Sequence, residues 1–362
     1  MSVLAVRAPA GWLGPGRLVD DVTVVIDGGR VAFAGPSREL AVVASTDERA
    51  ERLGGGEAPP EPDEEIRVDG FVMPGVVDRH VHIALSDPAA VLRGGVTAVR
   101  DLAWPPRIIH PIAEASEGVP FQGPLIRAVG PMITCPGGYP TRAAWAPSGT
   151  GVEVDGPDEA VGAVGDVLGA SSASVVKVAM NSDAGPVLAD DELVAVCDAA
   201  HAAGAIVTAH VQGVGQAERA VRAGVDEFAH CPWSERLPDG LIVAMARRTR
   251  IVSTLDIHSY GRESRELHVA LENLRRFLEA GGRVAYGTDL GNGPIPAGIH
   301  VGEVRHLVRA GLTPEQVLEA VTFRPLAPGE PGDLIALSAN PLEDAGAFGR
   351  VALVVRAGRR VG

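Results

Sequence analysis

Alternation of apolar and polar positions over residues 22–36 (VTVVIDGGRVAFAGP) predicts two β-runs joined at Asp27-Gly28-Gly29, a hairpin signal. Residues 44–66 (ASTDERAERLGGGEAPPEPDEEI) are charged, rich in Gly and Pro and free of periodicity, which predicts a surface loop without chemistry. From Phe71 the pattern becomes strand then helix, repeatedly. Strands are predicted over 76–83, 96–102, 125–129, 175–180, 206–211, 227–231, 251–255 and 284–290. Amphipathic stretches lie between them, among them 190–203, stopped by Gly204, and 266–280. Thr313-Pro314-Glu315 opens a last helix, after which 333–337 and 351–355 return to β, with a turn at Ala357-Gly358-Arg359. Eight βα units in about 250 residues predict an α/β fold, a (β/α)8 TIM barrel. An open doubly wound sheet is the alternative, but no GxGxxG follows a first strand. The terminal β-segments are expected to pair as a small β-sandwich. The predicted domains are therefore 1–70 and 326–362 for the two parts of the small β-domain, and 71–325 for the barrel.

Composition narrows this picture. Of 362 residues 46% are apolar but only 4% aromatic, so the core must be mostly aliphatic. A net charge of −14 argues against nucleic acid or an anionic membrane as partner. Cys135, Cys197 and Cys231 are widely spaced and form neither a disulfide framework nor a CxxC site. No 18-residue apolar span and no convincing cleavage signal appear, so a cytoplasmic location is the expectation.

The candidate chemistry starts in Phe71–Leu85, FVMPGVVDRHVHIAL. His80 and His82 are two apart, and residues i and i+2 of a strand share a face, so both rings are expected in one pocket. Neutral imidazole is a common metal ligand. Lys177 is the only lysine among 32 cations. Arginine is effectively never deprotonated, whereas a buried lysine loses its proton readily, so a single lysine marks a place where an amine is needed. Lys177, His210, His230 and Asp289 fall at or near C-terminal ends of predicted strands, where barrel active sites are built. Singly, each has a bland reading: a core histidine, or Asp289 as the N-cap of the next helix. Jointly they make a His, carboxylate and lysine set that suits zinc, and also manganese, iron or cobalt. A neutral Lys177 can add carbon dioxide, and the resulting carbamate can bridge two ions. Two metals sharing a water lower its pKa from about 15.7 towards 7, and Asp289 can take that proton and deliver it to the leaving group. Cys231 alternates away from His230 and is expected to face the helices.

The chain resembles the amidohydrolase superfamily, and within it the imidazolonepropionase-like and prolidase-like metal-dependent hydrolases. The residues that carry the likeness are PGVVDRHVH (74–82), GVTAVRDL (95–102), VVKV (175–178), AHAAGAIVTAH (200–210), AGVDEFAH (223–230), GTD (287–289), AGLTPEQVLEAVT (310–322) and PGDLIALSANPLED (331–344). The resemblance implies that His80 and His82 bind the more buried metal and that carboxylated Lys177 bridges. It implies that His210 and His230 bind the second metal, and that Asp289 ligates and acts as base. Tyr139 stands where prolidase-like relatives carry a histidine over the substrate, which sets dipeptide specificity in question. The segment 322–332 is shorter than in those relatives and lacks their Asn-Ala-Ala stretch.

The expected function is hydrolysis of an amide-type C–N bond in an acyl-amino acid, dipeptide-like or cyclic amide substrate, by a hydroxide bridging two divalent ions, most simply Zn2+, with Asp289 as general acid and base. The alternative is a one-metal deaminase, or a hydrolase of an imidazolone or cyclic amidine, with Lys177 a plain amine. A catalytically silent binding protein and an ester or lactone hydrolase are further readings. Tyr139, Arg142, His258 and Tyr260, with Arg262 and His300, are expected near the mouth as substrate contacts; an arginine there could pair a carboxylate in bidentate fashion. The partner is a small molecule, and barrel hydrolases of this kind often form homo-oligomers.

Overall fold

A computed structural model describes residues 3–43, 59–118, 120–171 and 173–362. Of the predicted loop 44–66, residues 44–58 lie outside the described residues. The N-terminal strands are β1 (Leu4–Trp12), β2 (Leu18–Asp27) and β3 (Arg30–Pro36), followed by α1 (Ser37–Val43), β4 (Glu64–Arg67) and β5 (Phe71–Pro74). The β2–β3 turn is Gly28-Gly29, with φ of 57° and 81°. Two successive left-handed residues are what a two-residue hairpin of this twist requires, and glycine adopts them without a Cβ clash. The predicted hairpin is therefore present. β4 corrects the end of the predicted loop 44–66: its polar sequence EEIR carries no alternation, yet it is a strand because its backbone pairs with β1 in parallel.

The central segment alternates strand and helix. Its strands are β6 (Val76–Val81), β7 (Val96–Asp101), β8 (Leu125–Ala128), β9 (Met132–Thr134), β10 (Gly151–Glu153), β11 (Val175–Asn181), β12 (Ile206–Gln212), β13 (Glu227–Phe228), β14 (Arg250–Val252) and β15 (Arg283–Ala285). Helices α2 (Pro88–Arg93) and α3 (Pro106–Glu117) follow β6 and β7; α4 (Pro157–Ala170) precedes β11. Then come α5 (Asp190–Ala202), α6 (Gln216–Ala223), α7 (Asp239–Arg248), α8 (Arg265–Glu279), α9 (Val301–Arg309) and α10 (Pro314–Val321). α10 starts in a capping box: Thr313 Oγ1 accepts from Gln316 N while Gln316 Oε1 accepts from Thr313 N. The chain ends in β16 (Leu334–Leu337), β17 (Val351–Arg356) and β18 (Arg359–Arg360).

The fold is α/β and barrel-like, but strand pairing does not form one continuous ring. β6, β7 and β8 make one parallel sheet, and β10-β9-β11-β12-β13-β14-β15 another. The break falls just past the third expected strand, at Gly130-Pro131, where Gly130 has φ 91° and Pro131 has no N–H to offer the ladder. On the other side, residues past β15 lean onto β6: Arg79 N donates to Tyr286 O at 3.1 Å, Asp289 N to His80 O at 2.7 Å, and His82 N to Leu290 O at 2.7 Å. The terminal segments build one mixed sheet in the order β18-β17-β16-β5-β1-β2-β3, with β4 beside β1, rather than a demonstrable sandwich. Phe71–Pro74, the first residues of the expected barrel segment, pair there as β5. As the composition requires, the interior is aliphatic, with Val176, Val178, Val207, Ile251 and Leu274 fully or almost fully buried. Among the described residues no helix is long and apolar enough to cross a membrane.

One ion cluster around a buried carboxylate ties three strands together. Glu227 on β13 has no exposed surface and accepts from Arg100 on β7 and from Arg250 Nε at 2.5 Å. Burial alone would raise its pKa, yet Arg100 and Arg250 hold it down to about 2, from an ordinary 4.5. A folded value below the unfolded one means that the ionised carboxylate stabilises the fold above pH 4.5, and that this is lost as pH falls from 4.5 towards about 2. Glu227→Gln is expected to lower unfolding free energy by about 3–5 kcal/mol at neutral pH, because the buried Arg100 guanidinium loses its charge partner and the half-exposed Arg250 loses one it shares. Urea unfolding checks this, and an unchanged midpoint would show that the pair is dispensable.

Candidate active site

The C-terminal ends of the parallel strands open into a cavity of about 350 Å³. β6 supplies His80, with His82 just beyond it; β11 supplies Lys177 and β12 His210; His230 and Asp289 follow the ends of β13 and β15. All six line the cavity and all are buried. β13, β14 and β15 are shorter than predicted because the residues just past them leave the ladder to turn towards this space. Asp289 does so with φ 57° and Thr254 with φ 41°, left-handed conformations uncommon for residues other than glycine and frequent where a side chain must be aimed.

The hydrogen bonds behind the rings fix their tautomers. His80 Nδ1 lies 2.7 Å from Ala229 O, and His82 Nδ1 lies 3.1 Å from Ala103 O. A carbonyl oxygen only accepts, so both Nδ1 atoms carry the proton and both Nε2 lone pairs point inward. They converge on Asp289 Oδ1, at 3.2 Å from His80 and 3.3 Å from His82. His230 is held the same way from behind, with Nδ1 2.9 Å from Thr254 Oγ1. His80, His230 and Asp289 bring one potential ligand atom each to within 4.8 Å of one another. His210 sits edge-on to His230, ring centres 4.8 Å apart, with its Nε2 accepting from Asn181 Nδ2 at 3.3 Å. Lys177 has no exposed surface, and its Nζ has no hydrogen-bond partner among the described residues.

Electrostatics follow from this packing. Burial, then the Lys177 charge, holds the His80 pKa well below the ordinary imidazole value; burial and His80 do the same for His230. His210 is pushed down to about 3 by burial and Lys177. Burial would lower His82 too, but Asp289 outweighs it and raises the pKa. Burial would raise Asp289, but His80 and His82 hold its carboxyl well below the usual range. Burial brings Lys177 down to about 7, with Asp289 pulling the other way. A proton in the gap can thus join His82 to Asp289, while the neutral His80 lone pair still faces a carboxylate oxygen. Two lone pairs and an anionic oxygen meeting at one point suit a cation, and the donor set of imidazole and carboxylate suits a divalent metal. An amine buried without a partner beside it is the second feature that a bound group would resolve.

Three buried carboxylates that the sequence reading left out hold this framework. Asp78 accepts from His80 N at 3.0 Å, from Thr288 N at 3.1 Å and from the Thr288 hydroxyl, tying β6 to the segment carrying Asp289. Its pKa is pushed up to about 7 by burial, against those hydrogen bonds. Asp101 accepts from Ile83 N at 2.8 Å, beside His82. Glu303 accepts from Leu255 N and Asp256 N at 2.9 and 2.8 Å, fixing the loop that carries His258. Only Asp78 left a trace in the sequence, two residues before His80.

Of the expected substrate contacts, Tyr139 and His258 line the cavity. Arg142 and Arg262 are exposed, Tyr260 is 42% exposed, and none of the three is among the lining residues. His300 is turned elsewhere: its Nε2 is 2.6 Å from Asp256 Oδ2, a buried carboxylate that also meets His306 Nε2 at 3.1 Å. Sequence reasoning missed Trp145, Trp233, Asn181, Gln212 and Asn292, which line the cavity from loops and strand ends. The scarcity of tryptophan was the available signal. Cys231 points as expected, its Sγ 3.1 Å from Ala270 O on α8, and all three cysteines are buried and unpaired.

Comparison with known proteins agrees with this geometry. The sequence profile of the amidohydrolase family matches residues 71–361. An uncharacterised protein of Mycobacterium tuberculosis is 27% identical over 338 residues, covering 81% of this chain and 86% of its own. Among solved structures, A. niger ochratoxinase superposes with a TM-score of 0.79 at 21% identity, over 99% of this chain and 95% of that one. A Xaa-Pro dipeptidase with bound methionine in its active site gives 0.77 at 21% identity, over 99% of both chains. At such identities the two structures speak for a shared TIM-barrel-like fold.

Proposed function

Because the chain belongs to the amidohydrolase family, metal-dependent hydrolases of carbon–nitrogen bonds, we propose that it cleaves an amide-type bond of a small molecule at a two-metal centre. In this reading His80 and His82 would hold one zinc ion and His210 and His230 a second, with carboxylated Lys177 and Asp289 as the further ligands. The observation that carries it is the meeting of the His80 and His82 Nε2 atoms on Asp289 Oδ1, in the same cavity as a Lys177 Nζ with no partner among the described residues. Bound metals would polarise the substrate carbonyl and lower the pKa of water. The chain's own groups do the rest. Asp289, held ionised, accepts a proton from the attacking water and returns it to the departing nitrogen. Asn292 Nδ2 donates to Asp289 Oδ2 at 2.9 Å and keeps the carboxylate oriented. The Tyr139 hydroxyl accepts from Trp145 Nε1 at 3.2 Å, so its own proton is free to meet the carbonyl oxygen. Acyl-amino acids, dipeptide-like compounds and cyclic amides are the candidate substrates. A cytoplasmic setting is part of the proposal and suits three unpaired cysteines.

The close cluster of His80, His230 and Asp289, together with a His210 Nε2 occupied by Asn181, favours a second reading with one metal and deamination of a cyclic amidine. Titration of metal-free protein with zinc in bicarbonate buffer separates the two. Turnover of neutral amides that rises up to two equivalents per chain is expected. Saturation at one equivalent, with ammonia released from an amidine, would replace the first reading by the second.

A further inference from the structure

Aromatic side chains are scarce in this chain, at 4% of residues, yet three of its four tryptophans and one of its three tyrosines gather at one place. Trp145 and Trp233 line the active-site cavity, and Trp104 stacks behind Trp145 with ring centres 6.4 Å apart. Trp145 lies against His82 at 4.9 Å, whereas Trp233 lies against His230 at 5.6 Å and His210 at 6.0 Å. The two indoles therefore flank different histidines of the same floor. Tyr139 adds a third flat face, stacked on His210 at 4.9 Å.

Charge is missing from the same walls. Apart from Lys177 and Asp289, the lining among the described residues contains no Arg, Lys, Asp or Glu. Arg142, the sequence's candidate for clamping a carboxylate, is exposed with its guanidinium beside Gly137. A substrate carboxylate would lose its hydration here without a cationic side chain to replace it, and long-range repulsion from a chain of net charge −14 would add to the cost. The amide side chains are largely engaged: Asn181 with His210 and Gln212, Asn292 with Asp289. Away from Lys177, Asp289 and Tyr139, whose roles are given above, one further unpaired polar atom faces this space. His258 Nε2 is buried without a partner among the described residues, on a ring 4.4 Å from Trp233.

Resting on the amide-hydrolase reading above, we propose that the substrate is an uncharged aryl or heteroaryl amide, its ring held by Trp145 and Trp233 and a polar atom meeting His258 Nε2. Hydrolysis adds water across the C–N bond: oxygen joins the carbonyl carbon, the nitrogen leaves with a proton, and a carboxylic acid and an amine result. Among the candidates that the chemistry of the centre admits, this ranks dipeptides and N-acyl-amino acids below uncharged aryl amides. The product acid is charged, and walls without guanidinium groups favour its release.

The test uses the full-length chain in two states. Zinc-loaded protein is assayed with acetanilide, hippurate, N-acetylleucine and glycylproline. Metal-free protein is titrated with the same four compounds while its tryptophan fluorescence is followed. Acetanilide is expected to give the highest kcat/KM and the tightest fluorescence response, with hippurate weaker because it carries a carboxylate beside its ring. Trp233→Leu should raise KM for acetanilide about tenfold with a smaller change in kcat, and Trp233→Phe should restore most of it. A higher kcat/KM for N-acetylleucine or glycylproline overturns the proposal while leaving amide hydrolysis standing. Turnover of none of the four counts against the hydrolase reading, and the metal-free titration then decides the proposal by itself. Acetanilide binding no tighter than hippurate or N-acetylleucine overturns it; tighter binding upholds it.

Discussion

Asp289→Asn is expected to lower kcat by about 10³-fold or more, while the protein folds and still takes up metal. That loss amounts to about 4 kcal/mol of transition-state stabilisation. Asparagine is well suited as the replacement. It tolerates the left-handed backbone that Asp289 adopts at φ 57°, and its amide oxygen can still accept from Asn292. What it lacks is the negative charge and the proton affinity. In the native chain burial would push the Asp289 carboxyl up, but His80 and His82 hold it ionised. An amide in that position cannot take a proton from water and pass it to a leaving nitrogen. The measurement pairs steady-state turnover with metal content and a melting curve. Turnover close to that of the parent in a metal-replete variant would remove Asp289 from the acid–base role.

The residues of this centre were legible because strand periodicity is local. His80 and His82 share a face by their spacing alone, and Lys177, His210 and His230 follow short apolar runs. The chemistry of the ligand types then needed no tertiary information. The devices that aim them were illegible for the opposite reason. Asp78 and Thr288 are 210 positions apart, and nothing in either neighbourhood announces the partner. Glu303 reads as an ordinary helical glutamate in the first turn of α9 until its carboxylate is found on Leu255 N and Asp256 N, 48 and 47 positions back. Loop residues were the least readable. Arg142 and Tyr260 have the right chemistry in segments near the mouth, yet both turn to solvent, while Trp145 and Trp233 turn inward. The expected ring of strands failed at Gly130-Pro131, a dipeptide present in the sequence whose effect on pairing depends on where the two neighbouring strands run.

The lone lysine yields the second large effect, and its sign differs between stability and function. Lys177 sits mid-strand in β11, paired in register with Met132 on β9 and Thr208 on β12, and its side chain lines the cavity without any exposed surface. Its pKa falls from 10.5 to about 7, burial being the main cause. A cation depressed in the folded state binds fewer protons than in the unfolded chain, so stability rises as pH climbs from about 7 to 10.5. Below that window the buried amine opposes folding. Lys177→Met keeps the volume and removes the polar atom, and the metal-free variant is expected to unfold about 1–3 kcal/mol later than the parent at neutral pH. The same substitution should lower zinc content and abolish turnover, because the amine proposed to react with carbon dioxide is gone. Isotopically labelled bicarbonate should give a carbamate carbon signal in the zinc-loaded parent that is absent from the variant. A site that evolved for packing would lose stability and nothing else on this change; a site that evolved to hold a reactive amine should gain stability and lose its metals. A variant that keeps its full metal content and its turnover would leave the amine without a role at the centre.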